Sequence, residues 1–258
     1  MPTNKIIINA DDFGYNATVN KAIIKSFQQG LITSSSLMAN MPGFEDAIGL
    51  AREHSFLQGK VGIHLNLTEG YPLSAAIRGC PRFCDPVSGQ FVYARQSSLF
   101  FLNAREQKAV YEELTAQLER LLAAGIRPSH LDSHHHIHTE WAVARLVARL
   151  GQAYGIRKIR LTRNMGLQKR GPKMLYKSVF NKWYLKGYAG ITAADYFGDI
   201  KDWNFLQQTH PPVGKNIEIM VHPLFNEGGV LVDYDQKDLQ EQLTPVIDLR
   251  NSISYTDL

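Results

Sequence analysis

Short apolar runs alternate along the chain with longer stretches in which apolar residues recur every three or four positions. The continuous run at residues 5–9 predicts a strand buried on both faces. The alternating run at residues 61–67 places His64 and Asn66 on the same face of a second strand. Similar runs predict further strands at residues 34–39, 130–133, 158–161 and 217–221.

Helical patterns fill most of the sequence between these strands. They predict helices over residues 16–29, 42–54, 106–124, 140–153, 172–186 and 235–249. Residues 70–104 are instead rich in Pro, Gly, Cys and aromatic residues, and we expect a long loop there. The alternation of strands and helices predicts an α/β fold with a parallel sheet, either open or closed into a barrel.

The composition describes an ordinary globular protein. The chain has 258 residues, of which 44% are hydrophobic, and no repeat or linker-like stretch, so we expect one domain over residues 1–258. Cys80 and Cys84 are too few for a disulfide framework. No apolar run approaches the roughly 18 residues of a membrane span, and the N-terminal run is too short for a secretory signal. We therefore expect a cytoplasmic protein.

The net charge of +4 is unevenly distributed. Ten of the 28 Lys and Arg residues lie within residues 157–187, which contain no Asp or Glu. Residues 164–190 therefore form a basic insertion, predicted to be helical and to carry an aromatic stripe. This stripe can be a packed face under a solvated basic one, a lid over a substrate, an oligomer contact or a surface for anionic groups. No recognised nucleic-acid motif accompanies the charge, so we expect no nucleic-acid partner.

Two adjacent carboxylates, Asp11 and Asp12, follow the first predicted strand in the sequence NADDFG. The carboxyl ends of parallel strands are where α/β folds place their functional sites. One carboxylate can bind a cation while its neighbour acts as a base. The alternative is structural, because an Asp pair can also cap the helix that begins near Asn16.

Histidines are concentrated at three other strand ends. Five of the nine fall within residues 130–138, in the sequence HLDSHHHIH, and neutral imidazole is a common ligand of divalent ions. His64 lies within a strand, where a histidine on its own is more often a hydrogen-bonded core residue. His222 precedes Pro223 at the last strand end, and is suited to donate a proton or to be a plain loop residue. Their convergence would build the open, three-ligand site typical of a catalytic metal.

The motifs NADDFG, GIHLNLTEG, HLDSHHHIH and VHP, in this order, resemble those of the YdjC/ChbG family of carbohydrate deacetylases. The resemblance implies a distorted (β/α) TIM-like barrel and one divalent metal ion, Mg²⁺ or Zn²⁺. It implies Asp12, His64 and His134 as metal ligands, and the choice of His134 among the clustered histidines comes from the resemblance. Asp11 falls at the general-base position and His222 at the general-acid position.

The resemblance also implies the activity. The family hydrolyses the N-acetyl group of a sugar such as an acetylated chitooligosaccharide, so the expected partner is a small acetylated sugar, with a homodimer as a further expectation. We expect Asp132 to orient a ligating histidine or to form a simple turn. Two other functions fit the same residues: a metallohydrolase of another amide or ester, and a non-catalytic protein that binds sugar or metal.

Overall fold

The computed structural model describes residues 3–93, 100–165, 172–188, 190–246 and 251–258. Its main feature is a six-stranded sheet in the order β4-β3-β2-β1-β6-β5, in which every neighbouring pair is parallel. The strands are β1 (Lys5–Phe13), β2 (Ser34–Leu37), β3 (Val61–Leu65), β4 (Leu131–Ser133), β5 (Tyr196–Gly198) and β6 (Asn216–Val221).

Residues 158–164 connect the two edges of this sheet. Ile159 pairs with Leu131 beside β4, and Lys158 pairs with Thr192. The amide of Asn164 donates to the carbonyl of Phe197 in β5 at 2.9 Å. The sheet therefore curls into the distorted (β/α) barrel predicted from the sequence, although the predicted strand at residues 158–161 contributes only isolated bridges. A small antiparallel pair, β7 (Leu224–Phe225) and β8 (Leu231–Val232), follows β6.

The helices lie between the strands in sequence, and their ends follow local sequence signals. The Asn16 side chain accepts from the amide of Val19, and Asn103 forms a capping box with Glu106. Gly155 ends a helix in the left-handed conformation. The helices are α1 (Ala17–Gln28), α2 (Phe44–Glu53), α3 (Ala75–Arg78), α4 (Ala104–Ala123), α5 (Trp141–Tyr154), α6 (Pro172–Val179), α7 (Ile200–Thr209) and α8 (Leu239–Leu243).

Several elements differ from the predictions. The predicted loop at residues 70–104 contains α3, and β7 and β8 were not predicted. The helix predicted at residues 172–186 changes after α6 into a π-helix, Phe180–Tyr188. Phe180 and Tyr184 pack on Trp141, while Trp183 stays 69% exposed. β5 and α7 were not predicted. The helix predicted over residues 235–249 is confined to α8, and residues 247–250 lie outside the described part of the chain.

The interior of the barrel is unusually polar. Asp11, Asp132, Arg160 and Glu218 are all at least 98% buried there, whereas the apolar core fills the space between the sheet and the helices. Buried charges are stable only when they are paired. The residues in this part of the molecule are therefore constrained by charge pairing as well as by packing.

In the described residues, no helix is both long and apolar enough to span a membrane.

Candidate active site

A β-bulge at the end of β1 interrupts the alternation by which its two adjacent carboxylates would point to opposite faces of the sheet. Ala10 pairs with Ser35 and Phe13 with Leu37, so β1 has one more residue than β2 over this interval. Asp12 takes up the bulge with a φ of 68°, a left-handed conformation that Asp tolerates better than most residues. As a result Asp11 is buried in the barrel, and Asp12 faces the histidines at the carboxyl edge of the sheet.

The three residues expected to bind metal converge at this edge. Oδ1 of Asp12 lies 3.2 Å from Nε2 of His64 and 2.9 Å from Nδ1 of His134. One ligand atom from each residue lies within 4.8 Å of the other two. His64 comes from β3, and His134 is the first residue after β4. The group offers two imidazole nitrogens and one carboxylate oxygen, a set that suits a catalytic zinc or a related divalent ion.

Each imidazole contacts a second carboxylate through its other nitrogen. Nδ1 of His64 lies 2.8 Å from Oδ1 of Asp132, and Nε2 of His134 lies 3.0 Å from Oε2 of Glu69. Because a carboxylate can only accept, each of these contacts favours a proton on that nitrogen and leaves the nitrogen that faces Asp12 to bind an ion. Histidines that bind metals are commonly oriented by such carboxylates. The residues present therefore fit a metal ion at Asp12, His64 and His134.

The electrostatics of this group couple ion binding to proton release. Burial alone would lower the pKa of His64, but Asp132 and Asp12 outweigh it and raise the pKa to about 10. The two imidazoles hold the pKa of Asp12 well below its ordinary value, against the opposing effect of burial. A cation bound by His64 must displace its proton, so ion binding at neutral pH releases protons.

Asp11 is held by an arginine that lies at the centre of the barrel. Nη1 and Nη2 of Arg160 each donate to Asp11 at 2.7 Å, Nη1 also lies 2.8 Å from Asp132, and Nε donates to Glu218 at 2.7 Å. Burial raises the pKa of Asp11, but Arg160 outweighs it and the pKa is lowered. For Glu218 burial outweighs Arg160 and raises the pKa to about 7. Asp11 is therefore fixed as a carboxylate at neutral pH.

His222 follows β6 and faces the same cavity as the other groups. Its backbone amide donates to Oδ1 of Asp233 at 2.7 Å, which fixes the strand end. Its Nδ1 is buried and has no hydrogen-bond partner among the residues that the structure describes. The cavity has a volume of about 570 Å³, and its lining includes Asp11, Asp12, His64, His134, His222, Tyr93, Arg163 and Tyr234.

The remaining clustered histidines divide between the cavity and the interior. His135 and His136 line the cavity, and both have left-handed backbones, with φ of 51° and 54°. Such conformations cost energy in residues other than glycine and are concentrated at functional sites. His138 is buried and bonded to Ser133, and His130 is stacked on Tyr255 at 3.6 Å. His138 and His130 therefore pack in the interior and are not among the residues that line the cavity.

Sequence reasoning missed two charged residues of the site. Arg160 lies in the run KIRL, and a charged residue between Ile159 and Leu161 in a predicted strand was the available signal. Glu69 lies in the motif GIHLNLTEG, where nothing in the spacing indicates a contact with a histidine 65 residues away. Asp132 was expected either to orient a histidine or to form a turn, and it contacts His64.

Comparisons with known proteins identify a family for this chain. Residues 5–250 match the family described as YdjC-like protein. A carbohydrate deacetylase of Brevibacillus brevis is 35% identical over 231 residues, which cover 88% of this chain and 84% of that protein. A carbohydrate deacetylase of Geobacillus stearothermophilus is 41% identical over 159 residues, which cover 61% of this chain and 60% of that protein.

A solved structure shares the fold. A crystal structure from Enterococcus faecalis V583, provisionally named a cellobiose-phosphate cleavage protein, superimposes with a TM-score of 0.71. The superposition covers 100% of this chain and 99% of that chain, at 23% sequence identity. At this identity the similarity extends to the fold alone.

Proposed function

Because the chain belongs to the YdjC-like protein family, we propose that it is a carbohydrate deacetylase, which hydrolyses the N-acetyl group of an acetylated sugar such as a chitooligosaccharide. Relatives of that name support the proposal. The observation that carries it is the convergence of Asp11, Asp12, His64, His134 and His222 on one cavity. Amide hydrolysis needs a base for water, an acid for the departing amine and stabilisation of the carbonyl oxygen, and these residues offer groups for each.

We propose further that Asp12, His64 and His134 hold one divalent ion, Mg²⁺ or Zn²⁺. Three protein ligands leave coordination positions open for water and substrate, as catalytic sites require. The contacts of both imidazoles with Asp132 and Glu69 support this assignment. An ion bound here would polarise the acetamide carbonyl and lower the pKa of a water molecule.

The roles of the other two residues follow from their surroundings. Asp11, kept ionised by Arg160, takes a proton from water as the water oxygen bonds to the carbonyl carbon. His222, which lines the same cavity, gives a proton to the nitrogen as the C–N bond breaks. The products are acetate and the free amino sugar.

The walls of the cavity suit a sugar ring. Tyr93 and Tyr234 line it and are each 49% exposed, so each offers an apolar ring face as well as a hydroxyl group. A volume of about 570 Å³ falls in the usual range for sites that bind small molecules. These features support a small sugar as the substrate.

Acetate release from diacetylchitobiose, measured with metal-stripped protein and with added Mg²⁺, Zn²⁺, Mn²⁺ or Co²⁺, tests the proposal. We expect release that requires a divalent ion. Turnover of phosphate esters without deacetylation would instead support another metallohydrolase, and sugar binding without any turnover would support a binding protein. No release from any acetylated sugar with any of these ions would contradict the proposal.

A further inference from the structure

The turn that follows β3 is fixed by a buried asparagine. Oδ1 of Asn66 accepts from the amides of Thr68 and Glu69 at 2.9 and 3.1 Å, and its Nδ2 donates to Oδ1 of Asn40 at 3.0 Å. Asn66 is fully buried, so these bonds are shielded from water. An asparagine that bonds the backbone two and three residues ahead imposes one conformation on the turn. The positions of Thr68 and Glu69 are therefore set by the fold.

Two consecutive side chains of this turn contact two consecutive histidines of the cluster. Oγ1 of Thr68 lies 3.0 Å from Nδ1 of His135, and Oε2 of Glu69 lies 3.0 Å from Nε2 of His134. These contacts fix the orientation of the two rings. The backbone cannot do so through regular helical geometry, because it is left-handed from His135. Only the contact to His134 involves one of the three residues expected to bind the ion, which are Asp12, His64 and His134 and are called the ligand group below.

The carboxylate of Glu69 is itself held on its other side. The hydroxyl of Tyr15 donates to Oε1 of Glu69 at 2.6 Å. This bond leaves Oε2 directed at His134. Because both side chains are only partly buried, little free energy is lost in removing the two groups from water. Glu69 is not a member of the group whose ligand atoms lie within 4.8 Å of one another, which comprises Asp12, His64 and His134.

We propose that Glu69 is a positioning residue for the metal centre: it keeps the proton of His134 on Nε2 and so presents Nδ1 to the ion. The inference rests on the metal centre in the proposed function. With this role for Glu69, each of the two imidazoles is oriented by one carboxylate: Asp132 fixes Nδ1–H of His64, and Glu69 fixes Nε2–H of His134. Without Glu69 the His134 ring can turn over or exchange tautomers, and its contribution to ion binding falls.

Zinc affinity of the full-length, metal-stripped protein, measured by calorimetry, tests the role of Glu69. Removing the carboxylate that orients a ligating histidine typically weakens metal binding by about 10–100-fold, and we expect a loss in this range for Glu69→Ala. Glu69→Gln retains an acceptor oxygen and should lose less. Glu45→Ala is the matched control, because Glu45 is an exposed carboxylate that pairs with Arg120 on the surface, and it should bind zinc as the unaltered protein does.

Nitrogen NMR of the zinc-loaded protein gives a readout that a general loss of stability would not move. In the unaltered protein we expect His134 to bind zinc through Nδ1 and to carry its proton on Nε2. In Glu69→Ala we expect a mixture of Nδ1 and Nε2 ligation.

Unchanged ligation together with a zinc affinity within twofold of the unaltered protein would overturn the proposal, and so would an unaltered protein that binds no zinc. Both readouts are independent of acetate release. A protein that binds zinc but deacetylates no sugar would contradict the proposed function, while the comparison of variants would still decide the role of Glu69.

Discussion

Asp11 and Asp12 are adjacent in the chain but have different partners. Asp11 is paired with the buried guanidinium of Arg160, whereas Asp12 lies between two imidazoles. Successive side chains of a regular strand point to opposite faces of the sheet. The bulge and the left-handed backbone at Asp12 interrupt that alternation, and both carboxylates line one cavity. In the proposed function Asp11 is the proton acceptor and Asp12 is a ligand of the ion.

Asp11→Asn tests this division of roles. We expect kcat for acetate release to fall by about 10²–10⁴-fold, because the amide cannot accept the proton of the water. Zinc affinity should change only a few-fold, since Asp12, His64 and His134 are untouched. Glu53→Gln, at an exposed position at the end of α2, is the control and should leave kcat unchanged. A kcat for Asp11→Asn close to that of the unaltered protein would exclude Asp11 as the base.

The raised pKa of His64 predicts a pH-dependent stability in the metal-free protein. His64 binds its proton more tightly when folded, so this stabilisation is complete below pH 6.5, the ordinary pKa, and is lost as the pH rises towards about 10. We expect the free energy of unfolding to fall over this interval, by an amount on the order of a few kcal/mol. Urea titrations at pH 6, 8 and 10 measure it.

Zinc provides the control for this prediction. The zinc-bound form requires His64 to have lost the proton already, so the fall should be much smaller in the loaded protein. A metal-free protein whose stability is the same at pH 6, 8 and 10 would show that Asp132 and Asp12 do not raise the pKa of His64.

At the scale of elements, strong periodicity made some predictions reliable. The helices at α1, α2, α4 and α5 were predicted within two residues at each end, because each has a clear apolar face and local end signals. Some short elements were not predicted correctly, although the three-residue β4 was. β5 has three residues and residues 158–161 form only isolated bridges, so their existence depends on neighbours that the local sequence does not reveal.

The same limit applies to the site. Four strand ends bearing Asp or His were visible in the sequence, because parallel strands bring their carboxyl ends together. The pairing of Arg160 with Asp11 and of Glu69 with His134 was not visible, since it depends on the register between strands far apart in the chain. The bulge at Asp12 was also hidden, because its sequence contains no glycine or proline to mark it.

The sequence GIH in β3 begins with a glycine that lies against a histidine. A Cβ at Gly62 would overlap the ring of His130, which is itself fully buried. We expect Gly62→Ala to destabilise the protein by about 1–3 kcal/mol, because the ring has no free space to enter. Gly49→Ala is the control: Gly49 lies in α2 with open space around it, and alanine there should stabilise by up to about 1 kcal/mol. Urea denaturation of both variants measures the difference, and equal stabilities would contradict the close approach.

Across the whole molecule, the interior of the barrel is arranged in layers along the strands. His130, Asp132 and His134 succeed one another along β4 and its flanks, and His64 lies beside Asp132 in the register of β3 with β4. The ligand group is thus at the carboxyl end, the Arg160 network is in the middle, and His130 lies at the amino end.

The expectations of a single domain, a homodimer and a cytoplasmic location stay predictions.

The C-terminal segment closes the amino end of this stack. The amide of Ile253 donates to the carbonyl of Ile6 at 2.9 Å, and Nζ of Lys158 donates to the carbonyl of Tyr255. The ring of Tyr255 is fully buried and lies parallel to that of His130 at 3.6 Å. The family match ends at residue 250, so the closure is made by residues beyond the matched region.

Tyr255→Ala should therefore destabilise the whole barrel, although it lies far along the chain from every strand. Replacing a buried aromatic ring by a methyl group leaves a cavity and typically costs about 3–5 kcal/mol. Tyr255→Phe keeps the ring on His130 and should cost less than about 1.5 kcal/mol. Urea denaturation followed by both fluorescence and circular dichroism should show one transition, shifted for Tyr255→Ala, because the ring supports His130 and through it β3 and β4. If Tyr255→Ala unfolds like the unaltered protein, the C-terminal segment covers the barrel without stabilising it, and the charged layer above His130 must be held by the strands alone.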